Sequence, residues 1–120
     1  MAKKTARFEM YKDVAGKFRF RLIAPNGKII LVSQAYLERD YANRAIKSVR
    51  KNAEVIKNYK LSDSLDGKYF FTLRSGNRKV IAVSEMYDST KARAIGLQAV
   101  RTYAASADKV DKLIINPYVK

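Results

Sequence analysis

Displaced by 51 positions, the chain aligns with itself. Residues 8–53 fall on residues 59–104 without a gap, and 13 of the 46 paired positions are identical, among them Gly16/Gly67, Phe20/Phe71, Leu22/Leu73, Ser33/Ser84, Tyr36/Tyr87 and Arg50/Arg101. An internal duplication of this kind constrains the fold more than any composition can. A unit of about 50 residues buries too little apolar surface to stand easily alone. The two copies are therefore expected to share one core within a single domain over residues 1–120, with repeats at 8–58 and 59–115.

Each copy changes its hydrophobic period once. Lys17-Phe18-Arg19-Phe20-Arg21-Leu22-Ile23 alternates strictly, the pattern of a half-buried strand. Ala24-Pro25-Asn26-Gly27 reads as a hairpin turn, because Asn and Gly accept the positive φ angles such turns need. Residues 28–34 return as the partner strand, and residues 8–12 supply an earlier one across the turn at 13–16. The second copy repeats the scheme with strands at 59–63, 68–74 and 79–85.

A helical period follows in each copy. Tyr41, Ala42, Ala45, Ile46 and Val49 recur at three- and four-residue steps over residues 40–53, leaving Arg44, Lys47 and Lys51 on the other side. Ala92, Ile95, Ala99, Val100 and Tyr103 do the same in the second copy, with Ser89 as the expected N-cap. Lys112-Leu113-Ile114-Ile115 reads as a last strand, stopped by Asn116-Pro117. The expected class is α+β: one antiparallel sheet with both helices packed on it.

Composition then excludes functions. The chain has no His and no Cys. That removes disulfides, thiol nucleophiles, Cys-based metal centres and the commonest general base. Neither Gly-rich phosphate-loop pattern occurs, and Ser33 and Ser84 have no His to activate them. The acidic residues Asp63 and Asp66, or Asp13 with Glu9, could meet a hard cation but lack the spacing of a calcium loop. No enzyme chemistry and no cofactor is expected. The longest apolar run, Ile29-Ile30-Leu31-Val32, is far short of a membrane span, and no signal-peptide pattern opens the chain, so a cytoplasmic location is expected.

The motifs Gly16-Lys17-Phe18-Arg19-Phe20-Arg21-Leu22, Asn26-Gly27, Ile46-Lys47-Ser48-Val49-Arg50-Lys51-Asn52-Ala53, Ser84-Glu85-Met86-Tyr87 and Gly96-Leu97 resemble those of the YegP-like family. These are small bacterial proteins carrying one or two copies of a short repeat of unknown function. The resemblance runs over residues 7–115. It implies a β-β-β-α-β unit, joined into one sheet, with C-terminal strands exchanged between repeats; single-repeat relatives would dimerise to the same end. It supplies no catalytic residue. Glu38 departs from the Ser that commonly caps the first helix in the family, which moves the expected helix start to Asp40.

The functional lead is charge. There are 25 Lys+Arg against 11 Asp+Glu, a formal net charge of +14, spread as +6 over residues 8–58 and +4 over residues 59–109. Distributed positive charge points to polyanions and to sequence-independent contact. In the first hairpin a two- or four-residue loop puts Phe18, Phe20, Leu22, Ile29 and Leu31 on one face. Lys17, Arg19, Arg21, Ile30, Val32 and Gln34 then share the other. Of the repeated pairs Ile30/Ile81 and Val32/Val83, burial is the favoured reading. Tyr36 and Tyr87 are expected to wedge the strand–helix corner with their hydroxyls at the surface. Candidate phosphate contacts are Lys17, Arg19, Arg21, Lys28, Lys47, Arg50 and Lys51. The expected partner is single-stranded DNA or RNA, engaged by a monomer built as an internal pseudo-dimer, with a dimer as the alternative state. The competing reading is a structural or protein-interaction module whose charge serves solubility or an acidic partner.

Overall fold

The computed structural model describes residues 5–111. Strands β1 (Arg7–Lys12), β2 (Phe18–Ile23) and β3 (Ile29–Ser33) lead into helix α1 (Arg39–Asn52). After a short 3-10 turn at Ile56–Asn58, the order repeats as β4 (Tyr59–Asp63), β5 (Tyr69–Arg74), β6 (Val80–Val83) and α2 (Thr90–Tyr103), ending in β7 (Asp108–Asp111). All seven strands form one sheet, in the order β4-β5-β6-β3-β2-β1-β7. The repeats join at β3–β6, where Val32 pairs with Val83 and Ser33 with Ala82.

Both helices cover the same face of the sheet. Helix α1 packs across β2, β5 and β6, and α2 across β3 and β5, so each reaches strands of the other repeat. Between sheet and helices lie Phe8, Met10, Phe20, Leu22, Leu31, Val49, Phe71, Leu73 and Val100, all fully buried. The aromatic rings meet at angles, Phe8 on Phe20 and Tyr59 on Phe71.

Several expectations are corrected. The sheet is mixed, because β7 lies parallel to β1 while every other neighbouring pair is antiparallel. A strand that follows α2 and returns to the far edge enters with the polarity of a crossover connection, and the terminal strand of the second repeat thereby completes the sheet of the first. The strand expected at 112–115 lies outside the described residues, and β7 stands just before it.

The hairpin loop holds three residues instead of two or four. Ala24 N–H bonds the Lys28 carbonyl at 2.8 Å, and Gly27 N–H bonds the Ala24 carbonyl at 2.8 Å. The register then shifts between Leu22↔Leu31 and Ile23↔Ile29, which makes Ile30 an extra residue on its strand. Ile30 joins the core while Ile29 is only half-buried, reversing the expected faces. Ile81 is the matching bulge of the second copy and is buried too, whereas Val32 and Val83 are half-buried.

Helix α1 begins at Arg39, with Glu38 as an N-cap whose side chain makes no capping bond. Ser89 does cap α2, accepting from Ala92 N–H at 3.0 Å. Last, Tyr41 and Ile95, expected on the apolar stripes, are 49% and 63% exposed.

Candidate polyanion-binding surface

The sheet face without helices carries Arg19 and Arg21, and each already holds a carboxylate. Cross-strand register sets Glu9 opposite Arg21 and Tyr11 opposite Arg19. Arg21 donates from Nε and Nη2 to Glu9 Oε1 at 3.2 and 3.1 Å, and Arg7 Nε donates to Glu9 Oε2 at 2.9 Å. The Arg21 guanidinium also lies 5.3 Å from the centroid of Tyr11. Burial would push the Glu9 carboxyl up, but the hydrogen bonds and charges of the two arginines outweigh it and hold it below the usual glutamate range. Glu9 is 3% exposed, so these pairs are fixed parts of the fold. Arg19 Nε bonds Asp13 Oδ2 at 2.8 Å and lowers that carboxyl as well. A phosphate reaching Arg19 or Arg21 would have to compete with these anions.

Arg50 has a different task. Its Nη1 donates to the carbonyls of Ala104 and Ala105 at 3.5 and 3.0 Å, and its guanidinium lies 5.0 Å from the centroid of Phe8. Arg101, its duplicate, donates to the Glu54 carbonyl at 3.3 Å. Ala104 is the C-cap of α2 and Glu54 follows the C-cap of α1. Each arginine therefore satisfies orphan carbonyls where the other repeat's helix ends, the terminus that attracts cations. This exchange accounts for the identical pair Arg50/Arg101.

Three cations remain together. Arg44, Lys47 and Lys51 follow one face of α1 at three- and four-residue spacing, all exposed, and none is ion-paired among the described residues. With Ser48 and Asn52 they line an open groove of about 550 Å³, to which the turn Ser75-Gly76-Asn77 of the other repeat also contributes. Arg44 and Lys47 also border an adjoining recess of about 490 Å³ with Asp40, Asn43, Arg50 and Lys109. The Asn43 Oδ1 atom is buried without a hydrogen-bond partner in the described structure. Lys47 and Lys51, like charges one turn apart, repel each other by a few tenths of a kcal/mol, and a bound anion relieves that repulsion.

Lys17 and Lys28 lie apart from this groove, exposed beside the β1–β2 and β2–β3 turns. The seven candidates are thus scattered over the sheet face (Arg19, Arg21), two turns (Lys17, Lys28), the helix ends (Arg50) and α1, and only Lys47 and Lys51 line the groove that faces residues 75–77. Arg44 joins them, as the helical period alone places it. The contribution of residues 75–77 has no signal in the sequence, because it depends on how the repeats dock.

The duplication makes a second groove of about 810 Å³, where residues 24–30 meet α2. Here Ile95, Ala99 and Tyr103 stand at the positions of Arg44, Ser48 and Asn52, so the second groove is apolar where the first is cationic. The Tyr87 hydroxyl reaches the helix backbone at Gly96. The chain just before each helix is tied to the sheet by Phe18↔Tyr36 and Tyr69↔Tyr87 bridges, while the Tyr87 hydroxyl, expected at the surface, packs on α2 instead. Burial pushes both tyrosine hydroxyls up.

Among the described residues no three Asp or Glu side chains gather to hold a metal, and no helix is long and apolar enough to cross a membrane.

Comparison with known proteins agrees with this architecture. The profile of a domain of unknown function (DUF1508) matches twice, at residues 13–58 and 64–111. A UPF0339 protein from the ptx operon 5′ region of Stutzerimonas stutzeri is 38% identical over 104 residues, 87% of this chain and 94% of that one. The UPF0339 protein YegP of Escherichia coli K12 is 34% identical over 99 residues, 82% of this chain and 90% of its own length. The solution structure of YegP, a protein of unknown function, superposes with a TM-score of 0.87 at 31% identity, covering 94% of this chain and 97% of that one. A UPF0339 protein of Shewanella oneidensis gives 0.87 at 28% identity, over 97% and 98%. Two profile matches over most of the chain, with UPF0339 relatives such as YegP aligned along most of their length and sharing its fold, place this chain in the DUF1508 family.

Proposed function

We propose that this protein is a non-enzymatic polyanion-binding protein that engages single-stranded nucleic acid or RNA through the α1 groove. The observation that carries the reading is the trio Arg44, Lys47 and Lys51: exposed, on one helix face, and without carboxylate partners among the described residues, in contrast to Arg19 and Arg21. Lysine and arginine placed this way contact phosphates and read no sequence. The half-exposed ring of Tyr41, 5.9 Å from the Arg44 guanidinium, adds a surface on which a base can stack. Lys17 and Lys28, exposed outside the α1 groove, extend the positive field.

Fluorescence anisotropy with single-stranded DNA, RNA and duplex DNA at about 50 and about 200 mM salt tests this. Preference for one of the single strands, retained at the higher salt, is the expected result. Equal weak binding to all three, abolished by salt, would reduce the charge to general stickiness.

The second reading, a protein-interaction module, is favoured by the apolar groove at Ile95 and Tyr103.

A further inference from the structure

The duplication leaves one sheet edge covered and its counterpart open. Strand β1 is paired on its outer side by β7, with Phe8↔Lys109, Glu9↔Val110 and Met10↔Asp111 in parallel register. Strand β4 holds the equivalent place in the second repeat, yet it ends the sheet, and nothing among the described residues pairs with its outer edge. The side chains register the difference. Met10 is 1% exposed, whereas Leu61, its duplicate, is 54% exposed; Phe8 is fully buried, whereas Tyr59 is half-buried. An uncovered edge offers backbone donors and acceptors to an incoming strand.

Charge says what kind of strand. On β1 the residue beside Val110 is Glu9, already neutralised by Arg7 and Arg21. On β4 that residue is Lys60, exposed and in no ion pair among the described residues, with exposed Lys57 just before the strand. Carried over from β1, the register sets an incoming residue beside Lys60 on the open face. The next incoming residue lies beside Leu61 on the helix-covered face.

We propose that the outer edge of β4 is a docking site for an extended segment of a partner protein, running parallel to β4 as β7 runs along β1, with an acidic residue facing Lys60 and an apolar residue facing Leu61. Main-chain hydrogen bonds supply the affinity, and these two side chains supply the choice. The site is separate from the α1 groove and stands whether or not that groove binds nucleic acid.

The probe is a labelled peptide of residues 106–113 carrying Val110→Glu and Asp111→Leu, titrated into the full-length protein. Binding is read by anisotropy and by amide NMR shifts. Shifts are expected at residues 58–63. Lys60→Glu in the protein should weaken binding tenfold or more, and a peptide with Val110→Lys should recover most of that loss. A peptide N-methylated at residue 110, or scrambled at equal charge, should bind at least tenfold more weakly. Shifts elsewhere, or equal affinity for the scrambled peptide, would overturn the proposal. So would self-association in light scattering that Leu61→Arg abolishes, which would make the occupant a second copy of this chain.

Discussion

Glu9 is the buried carboxylate among the described residues, and it depends on its neighbours. Its carboxylate is out of water and its charge is carried by Arg7 and Arg21, both partly solvated. Glu9→Gln should therefore cost about 1–3 kcal/mol in chemical denaturation. Since the folded-state value lies below the ordinary glutamate range, the stability it supplies is complete above that range and lost as pH falls through the lowered value. The wild-type chain should lose stability on acidification more steeply than Glu9→Gln; parallel curves would show that the pairs contribute nothing. Arg78 makes the opposite case. It holds φ at 67°, where its duplicate Gly27 holds 86° without strain. Arg78→Gly should leave the hairpin intact and raise stability by roughly 0.5 kcal/mol, the relief of strain offset in part by added freedom of the unfolded chain. Residue identities in the sequence show which positions are duplicated, but the pairing of Glu9 with Arg21 needs the β1–β2 register. Without it these arginines read as free cations.

At the scale of elements, the period changes from two to 3.6 locate all six repeated strands and both helices to within two or so residues. Details that the periods do not encode come from hydrogen bonding. Ser33 and Ser84 each accept from a buried strand N–H, Phe20 and Phe71, at 2.9 Å, and donate to the next carbonyl in their own chain. They close a gap at the ends of β3 and β6 that backbone pairing leaves open. Ser33→Ala or Ser84→Ala strands a buried N–H and should cost about 1–3 kcal/mol each, with faster amide exchange at Phe20 or Phe71. Unchanged exchange would mean that backbone partners take over. The three-residue loop and its bulge were illegible for a related reason: the parity of the core pairing fits an even loop, and only the extra residue Ile30 reconciles it with an odd one. At α2, a Cβ on Gly96 would overlap the hydroxyl and ring of Tyr87. Gly96→Ala should lower stability by about 1–3 kcal/mol, and less so in a Tyr87→Ala background.

For the whole molecule the duplication explains both what is shared and what differs. The repeats share the β3–β6 seam, the helix ends clasped by Arg50 and Arg101, and helices that lie across both sets of strands. Calorimetry should therefore give one unfolding transition; two separable ones would contradict a common core. The paired surfaces have diverged instead. One helix groove is cationic and the other apolar, and one sheet edge is covered and the other open. Net charge was legible from the sequence, but its division into paired and unpaired cations was not, because that follows from tertiary contacts. The division is the core of the functional account, and the salt dependence of single-strand binding tests it most directly. For Arg44→Ala/Lys47→Ala/Lys51→Ala, the slope of log affinity against log salt should flatten by about 2, as expected for losing about three phosphate contacts. Arg19→Ala/Arg21→Ala should leave it nearly unchanged. Equal flattening by both variants, or flattening by the sheet-face variant alone, would contradict the assignment to α1.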